Sequence, residues 1–493
     1  MRITEQVAEG GKALPVLEDD RPQASTGLIG LAFLLFVVAL WIAVYWGASV
    51  QAVRLVYPAT MFIAGLVLYQ VFPVAYVGFM WWVWFLTPMI RRIVDYQGGW
   101  MDPNPILLAP LLVTGISALT VLKERNTLFK RDRLPFFLLV AGILYGYVVG
   151  LAKVGLVSAT LSLLEWLAPI FLGFHLAVNW KRYPSHRRMF EATFQWGVLV
   201  LGLYALLQFF VLLEWDRYWM IQSEMGSIGS PKPLRVRVFS TMNAPGPFAY
   251  VILPGLLLFL NGRRWMNLVA AVPGYTSFLL SLVRAAWGGL LVGIGAMAWY
   301  AGGRIRTRLI TLVGVIILLT LPLLATDVIY DTVISRAETI SNLEEDSSLK
   351  ARLSVYRGVS VRILNMPLGF GLGASGSGQR VSGEASPVLD SGLMAIGLQL
   401  GWLGTLLYLV GYFQLLAPIV RLKPARLDPF IVAAFGVVMA LSASMFFGGT
   451  HTGSAGCILF GFLGLIWAGG HYHEVREQTE VEPAMTIDYL EES

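Results

Sequence analysis

Charge is what this chain has least of. Only 13% of its 493 residues are charged, against roughly 25% in ordinary soluble domains. So sparse a set of charges cannot solvate the surface of a globular protein of this length. Cysteine is nearly absent too: the single one, Cys457, lies in an apolar run, which excludes a disulfide framework or a cysteine metal site within one chain. The five histidines and the carboxylates form no cluster with metal-ligand spacing, so no metal is expected. Basic residues form no long block, and the formal net charge of +6 is spread over short connections, which argues against nucleic acid as a partner. The glycine string GFGLGASGSG has no GK[ST] ending and no buried strand before it, which excludes a nucleotide phosphate loop.

What is present is apolar. Hydrophobic residues make up 56% of the chain, and runs long enough to cross a hydrocarbon core recur from Leu28 to Ala468. Sixteen tryptophans and nineteen tyrosines, many near run ends, fit interfacial anchoring. The expected fold is all-α: a polytopic membrane protein with about 14 transmembrane helices and a large, partly helical periplasmic loop. Spans read at 27–46, 55–71, 73–90, 104–122, 134–152, 156–178, 190–213, 247–260, 266–282, 284–301, 308–325, 389–417, 429–447 and 454–470. The expected division is an N-terminal tail (1–26), eleven spans (27–325), the loop (326–388), three spans (389–470) and a C-terminal tail (471–493).

The positive-inside rule orients these spans. With the N-terminus inside, the connections KERNTLFKRDR, NWKRYPSHRR, NGRRWMN, GGRIRTR and RLKPARLD all fall inside, and all are basic. Both termini are then cytoplasmic and the long loop periplasmic. RRIVDYQ at 91–97 disagrees, because two arginines fall outside.

The long loop is the one extended polar interruption. Its first part is amphipathic: Leu349, Leu353, Tyr356, Val359 and Ile363 recur at roughly helical spacing, with Lys350, Arg352 and Arg357 on the other face. Ser347 or Ser348 is placed to cap this helix. Long ordered loops in membrane proteins tend to cover a site, so the segment reads as a lid.

Three further places carry polar residues that a span does not need, and the topology puts all three at the lid's face. RVRVFSTMNAPGPFAY brings Arg235, Arg237 and Asn243; SLVRAAWGGLL brings Arg284; LDSGLMAIGLQLGWLG brings Asp390. Guanidinium groups there match a diphosphate, whose oxygens accept a planar fork of donors. A carboxylate can take the proton of an attacking hydroxyl. Each residue also has a structural reading. Arginine at a span end snorkels to headgroups, Asp390 can cap the span it opens, and Asn243 with Pro245 makes a good turn and helix entry. His451, in FFGGTHTGSAG, faces the same side.

In order and spacing, RVFSTMNAPGPFA, LVRAAWGGLL, SSLKARLSVYRG with MPLGFGLG, and LDSGLMAIGLQLGWLG resemble four successive motifs of the O-antigen polymerase and ligase superfamily. The resemblance covers about 237–404. These are bacterial inner-membrane glycosyltransferases, and it implies transfer of a polyprenyl-diphosphate-linked glycan to a hydroxyl of a lipid-linked or growing glycan at the periplasmic face. The reaction would need no metal or other cofactor. Membrane lipids surround such a protein, and a chain-length regulator is a candidate partner. Arg237, Arg284 and Arg352 match the family's motif arginines. Asp390 falls where ligases commonly carry histidine, which favours polymerase over ligase. By this reading Asp390, Arg284 and Arg237 are catalytic, while Arg235, Arg352, Asn243, Arg357 and His451 bind substrate. A ligase acting on lipid A or protein, and a lipid-linked oligosaccharide flippase, are the alternatives.

Overall fold

The computed structural model describes residues 49–127, 130–261, 265–303, 306–307, 309–311, 313–314, 347–376, 378–379, 391–420 and 428–491. The expected span at 27–46, most of that at 308–325, and residues 380–390 of the loop lie outside them. Among the described residues the chain is all-helical, with one isolated antiparallel bridge, Gly229 to Val236.

Helices follow in short succession. They are α1 (Val50–Val71), α2 (Pro73–Gly98), α3 (Leu108–Gly115), α4 (Ala118–Lys123), α5 (Leu134–Lys153), α6 (Leu156–Val178), α7 (Tyr183–Phe210) and α8 (Glu214–Gln222). Then come α9 (Pro245–Asn261), α10 (Trp265–Leu280), α11 (Arg284–Tyr300), α12 (Ser347–Asn365), α13 (Gly392–Ile419), α14 (Pro429–Ser444) and α15 (Gly453–Glu491). Eight helical stretches are long and apolar enough to span a membrane, and three shorter apolar helices accompany them, all counted among the described residues. The C-terminal helix runs on through the stretch expected to be a tail, to Glu491.

Turn chemistry sets the boundaries. Pro73 stands at the first turn of α2, where its missing N–H costs nothing, and separates α2 from α1. Asp428 caps α14 by accepting from the Phe430 N–H at 2.9 Å. The same carboxylate accepts from Tyr183 (2.7 Å), Arg187 (2.9 Å) and His473 (3.1 Å), tying α7 and α15 to the start of α14.

Close packing depends on glycine where helices cross. Gly142, Gly146 and Gly150 recur at four-residue spacing along α5 and meet α13 and the segment before it. A Cβ on Gly142 would come 2.6 Å from the Gly404 carbonyl oxygen. In the same way Gly173 of α6 lets the backbone of α15 approach at Phe460.

The helix expected in the loop is present as α12. Val359 is buried, and Ile363 packs over Gly397 of α13. The glycine-rich stretch that follows is wedged between α5, α6 and α13 rather than spread over the bundle. The Leu372 N–H donates to the Gly146 carbonyl at 2.9 Å, and a Cβ on Gly373 would come 2.9 Å from the Ser158 carbonyl carbon. Gly369, Gly371, Gly373 and Gly376 all have positive φ. These glycines answer to backbone conformation and close approach.

Candidate functional site

The segment leading from α8 to α9 contains RVRVFSTMN and is held by a buried polar network. Arg92 at the end of α2 pairs with Asp216 of α8 at 2.5 Å, both side chains fully enclosed, and donates to the Ser240 carbonyl at 2.6 Å. Gln208 accepts from the backbone N–H groups of Phe239 and Ser240, each at 2.9 Å, and donates to Asp216 at 2.8 Å. Burial pushes the Asp216 carboxyl above its ordinary range, and the Arg92 guanidinium pulls against that shift. Arg91 lies over the rings of Trp100 and Trp219, 5.2 and 4.7 Å from their centroids, and pairs with Asp95 and Asp102.

These pairs account for the loop that disagreed with the positive-inside rule. Arg91 and Arg92 are interior residues neutralised by carboxylates, so they carry no orientation signal of the kind exposed loop arginines do. Neither the pairing nor Gln208 was legible beforehand. The disagreement of RRIVDYQ was the only signal.

Backbone strain collects here. Among the described residues, non-glycine residues with positive φ are Leu212, Glu224, Leu234, Ser240 and Leu282. Four of them fall between α7 and α9, and Leu282 lies in the turn that this segment touches. Such conformations persist only where the surroundings over-determine them, and they concentrate at functional sites.

Arg237 and Arg284 meet at that turn. Arg237 is half-buried and donates to the carbonyls of Ser281 (Nε, 3.3 Å) and Leu282 (3.0 Å), while the Val238 N–H donates to Leu280 at 3.2 Å. Arg284, also half-buried, then opens α11. Ser444 donates to the Ala285 carbonyl at 3.5 Å, which joins the start of α11 to the end of α14. The next residue, Met445, accepts from the Gly392 N–H at 2.9 Å, as does Gly448 at 3.1 Å. Tyr250 of α9 lies against Gly448, its hydroxyl 2.8 Å from where a Cβ would stand.

The connection 445–452 is therefore a hub. The starts of α9 and α13 reach it, and the start of α11 is joined to Ser444, the residue just before it, although all three are far apart in sequence. His451 lies within the hub, 3% exposed, with its ring 4.6 Å from Trp166. Its Nδ1 faces Gly392, 2.8 Å from where a Cβ would stand, and has no hydrogen-bond partner among the described residues. Burial holds the imidazole pKa down, to about 3, so the ring is neutral at neutral pH.

The remaining expected residues are placed differently. Arg235 is exposed, and its backbone carbonyl accepts from Ser230 at 3.1 Å. Asn243 accepts at its carbonyl from the Trp219 indole (3.1 Å), and its side-chain oxygen is buried without a partner among the described residues. Arg357 is exposed on α12. Arg352 lies on the same helix with its side chain outside the described residues, and Asp390 is outside them altogether, one residue before Ser391, which caps α13. No group of three or more metal-ligating side chains occurs among the described residues. No protein-family model matches the chain, and no curated protein does.

Proposed function

We propose that this chain is a bacterial inner-membrane polysaccharide polymerase, transferring polyprenyl-diphosphate-linked repeat units to a sugar hydroxyl at the periplasmic face. The observation that supports the reading is a chain of contacts: Arg237 holds the turn before Arg284, the start of α11 is joined to Ser444 at the end of α14, and the start of α13 is bonded to the adjoining connection 445–452. A diphosphate leaving group needs cationic donors fixed before the reaction, and strained turns anchored by buried ion pairs supply rigid positions.

In this reading Arg284 contacts the donor diphosphate. Negative charge grows there as the glycosidic bond breaks, so a fixed guanidinium stabilises the transition state more than the ground state. Arg237 uses two of its donors on the carbonyls of Ser281 and Leu282, so its first task is to hold the turn that presents Arg284. Asp390 accepts the acceptor hydroxyl's proton, and attack opposite the leaving group inverts the anomeric centre. In this reading Arg352 and Arg357 reach the donor from α12, which packs on α13 through Ile363.

A flippase would keep charge at mid-membrane along a transport path. The fully enclosed arginines Arg54, Arg91 and Arg92 lie near helix ends and are paired, which favours the enzyme, while the half-buried Glu165 sits midway along α6. Arg284→Lys tests the reading. A point charge cannot replace a bidentate fork, so polymer should fall at least about tenfold at unchanged membrane protein level. Full-length polymer at normal yield would remove Arg284 from the site.

A further inference from the structure

The helix α13 is broken at Gly401, where φ is +62° and ψ −170°. In a continuous helix the Trp402 N–H would donate to the Leu398 carbonyl. Here it donates instead to Pro367 at 2.9 Å, and Leu398 accepts from the Phe370 N–H at 2.8 Å. Gln399, the next residue, gives its carbonyl to the Gly371 N–H at 3.1 Å. The break thus exchanges helical bonds for bonds to the glycine-rich segment. No other residue fits at Gly401, since a Cβ there would come 2.5 Å from the Leu368 carbonyl carbon.

One side chain closes this junction. Gln399 is 4% exposed; its Oε1 accepts from the Gly373 N–H at 3.2 Å and its Nε2 donates to the Ser375 hydroxyl at 2.8 Å. It is the buried amide that holds residues 373–375 onto the half-helix Gly392–Leu400. At the other end of the segment, the Trp402 indole donates to the Ile363 carbonyl of α12 at 3.0 Å. Lys153 of α5 adds a bond to the Gly369 carbonyl at 2.7 Å.

We propose that Gln399 is a positioning residue that locks α12 and the glycine-rich segment 366–376 to the half-helix Gly392–Leu400, so that they move as one body. For function this rests on the polymerase reading: α12 carries Arg352, and the half-helix starts two residues after Asp390. Donor contact from α12 is then registered against acceptor activation at the start of α13 by a covalent chain and a hydrogen-bonded lock, without a separate closing step.

The test uses the full-length protein in membranes with Cys457→Ser, so that reporters are the only thiols. Ala374→Cys reports on the segment, Met394→Cys on the half-helix, and Ser223→Cys is a control outside both. Labelling by a membrane-impermeant maleimide is compared with and without Gln399→Leu, which keeps volume but cannot hydrogen-bond. The lock predicts at least about a fivefold faster reaction at both 374 and 394 and no change at 223. Gln399→Glu keeps an acceptor for Gly373 and should restore most of the protection. Faster labelling at 374 alone would overturn the coupling. No change at either position, or an equal rise at 223, would overturn the role of Gln399. None of these outcomes depends on polymer synthesis, so failure of the polymerase reading would be seen separately, as a wild-type protein that makes no polymer from a lipid-linked repeat unit.

Discussion

Arg92 and Asp216 stand 124 residues apart in sequence and form an ion pair at 2.5 Å with no solvent exposure on either side chain. The pair fixes α8 against the end of α2. Through Ser240 and Gln208 it also fixes the backbone that leads to Arg237. Removing one partner leaves a buried charge uncompensated, which costs about 3–5 kcal/mol. Arg92→Met or Asp216→Asn should therefore each lower the thermal midpoint of the purified protein strongly. The double variant should be less damaged than the sum of the two. Additive losses would mean that the two charges do not depend on each other.

His451 gives a pH dependence with a defined sign. Its folded-state pKa is lowered to about 3, from an ordinary 6.5, by burial. Below about pH 6.5 the unfolded chain takes up a proton that the folded chain refuses, so stability falls as the medium is acidified. At pH 5 the contribution is about 2 kcal/mol relative to pH 8. His451→Gln should flatten the stability curve over this interval by that amount, measured as the difference between variant and parent. Parallel curves would show that the ring is not held neutral.

Two glycine substitutions should part in opposite directions. Gly401→Ala forces a Cβ into the Leu368 backbone at a residue with φ +62°, and should cost at least about 3 kcal/mol from strain and displacement together. Gly288 lies within α11 with nothing within 4 Å of a Cβ. Gly288→Ala should be neutral or stabilise by up to about 1 kcal/mol, since alanine costs less conformational entropy in a helix. Thermal unfolding in detergent would read both, and a tolerated Gly401→Ala would mean the break in α13 is not required.

Asp390→Asn separates a local structural role from catalysis. Ser391, not Asp390, caps α13, so a purely structural residue at 390 predicts little change on this nearly isosteric substitution. A general base predicts a loss of roughly 10²–10⁴-fold in rate. A polymer ladder collapsed to single repeat units at normal protein level is the expected result. Full-length polymer would end the catalytic role.

The sequence by itself determined the class of protein and most of the helices. Runs of apolar residues are a local property, and burial in lipid rewards them without any tertiary contact, so the spans at 134–152 and 156–178 correspond closely to α5 and α6. It also singled out Arg237, Arg284 and the start of α13, because polar residues stand out at the edges of long apolar runs. Tertiary structure alone decided what those groups touch. Arg91 and Arg92 read as misplaced loop charges until Asp95, Asp102 and Asp216 came beside them. The glycines of 369–376 read as part of a covering loop, whereas the bundle uses them for backbone approach to α5, α6 and α13. Gln399 looked like one polar residue in an apolar span, and its partners lie 24 and 26 positions away. Hydrogen bonds and ion pairs between distant residues depend on how helices pack, and packing is set by the sum of many side-chain contacts that no local pattern encodes.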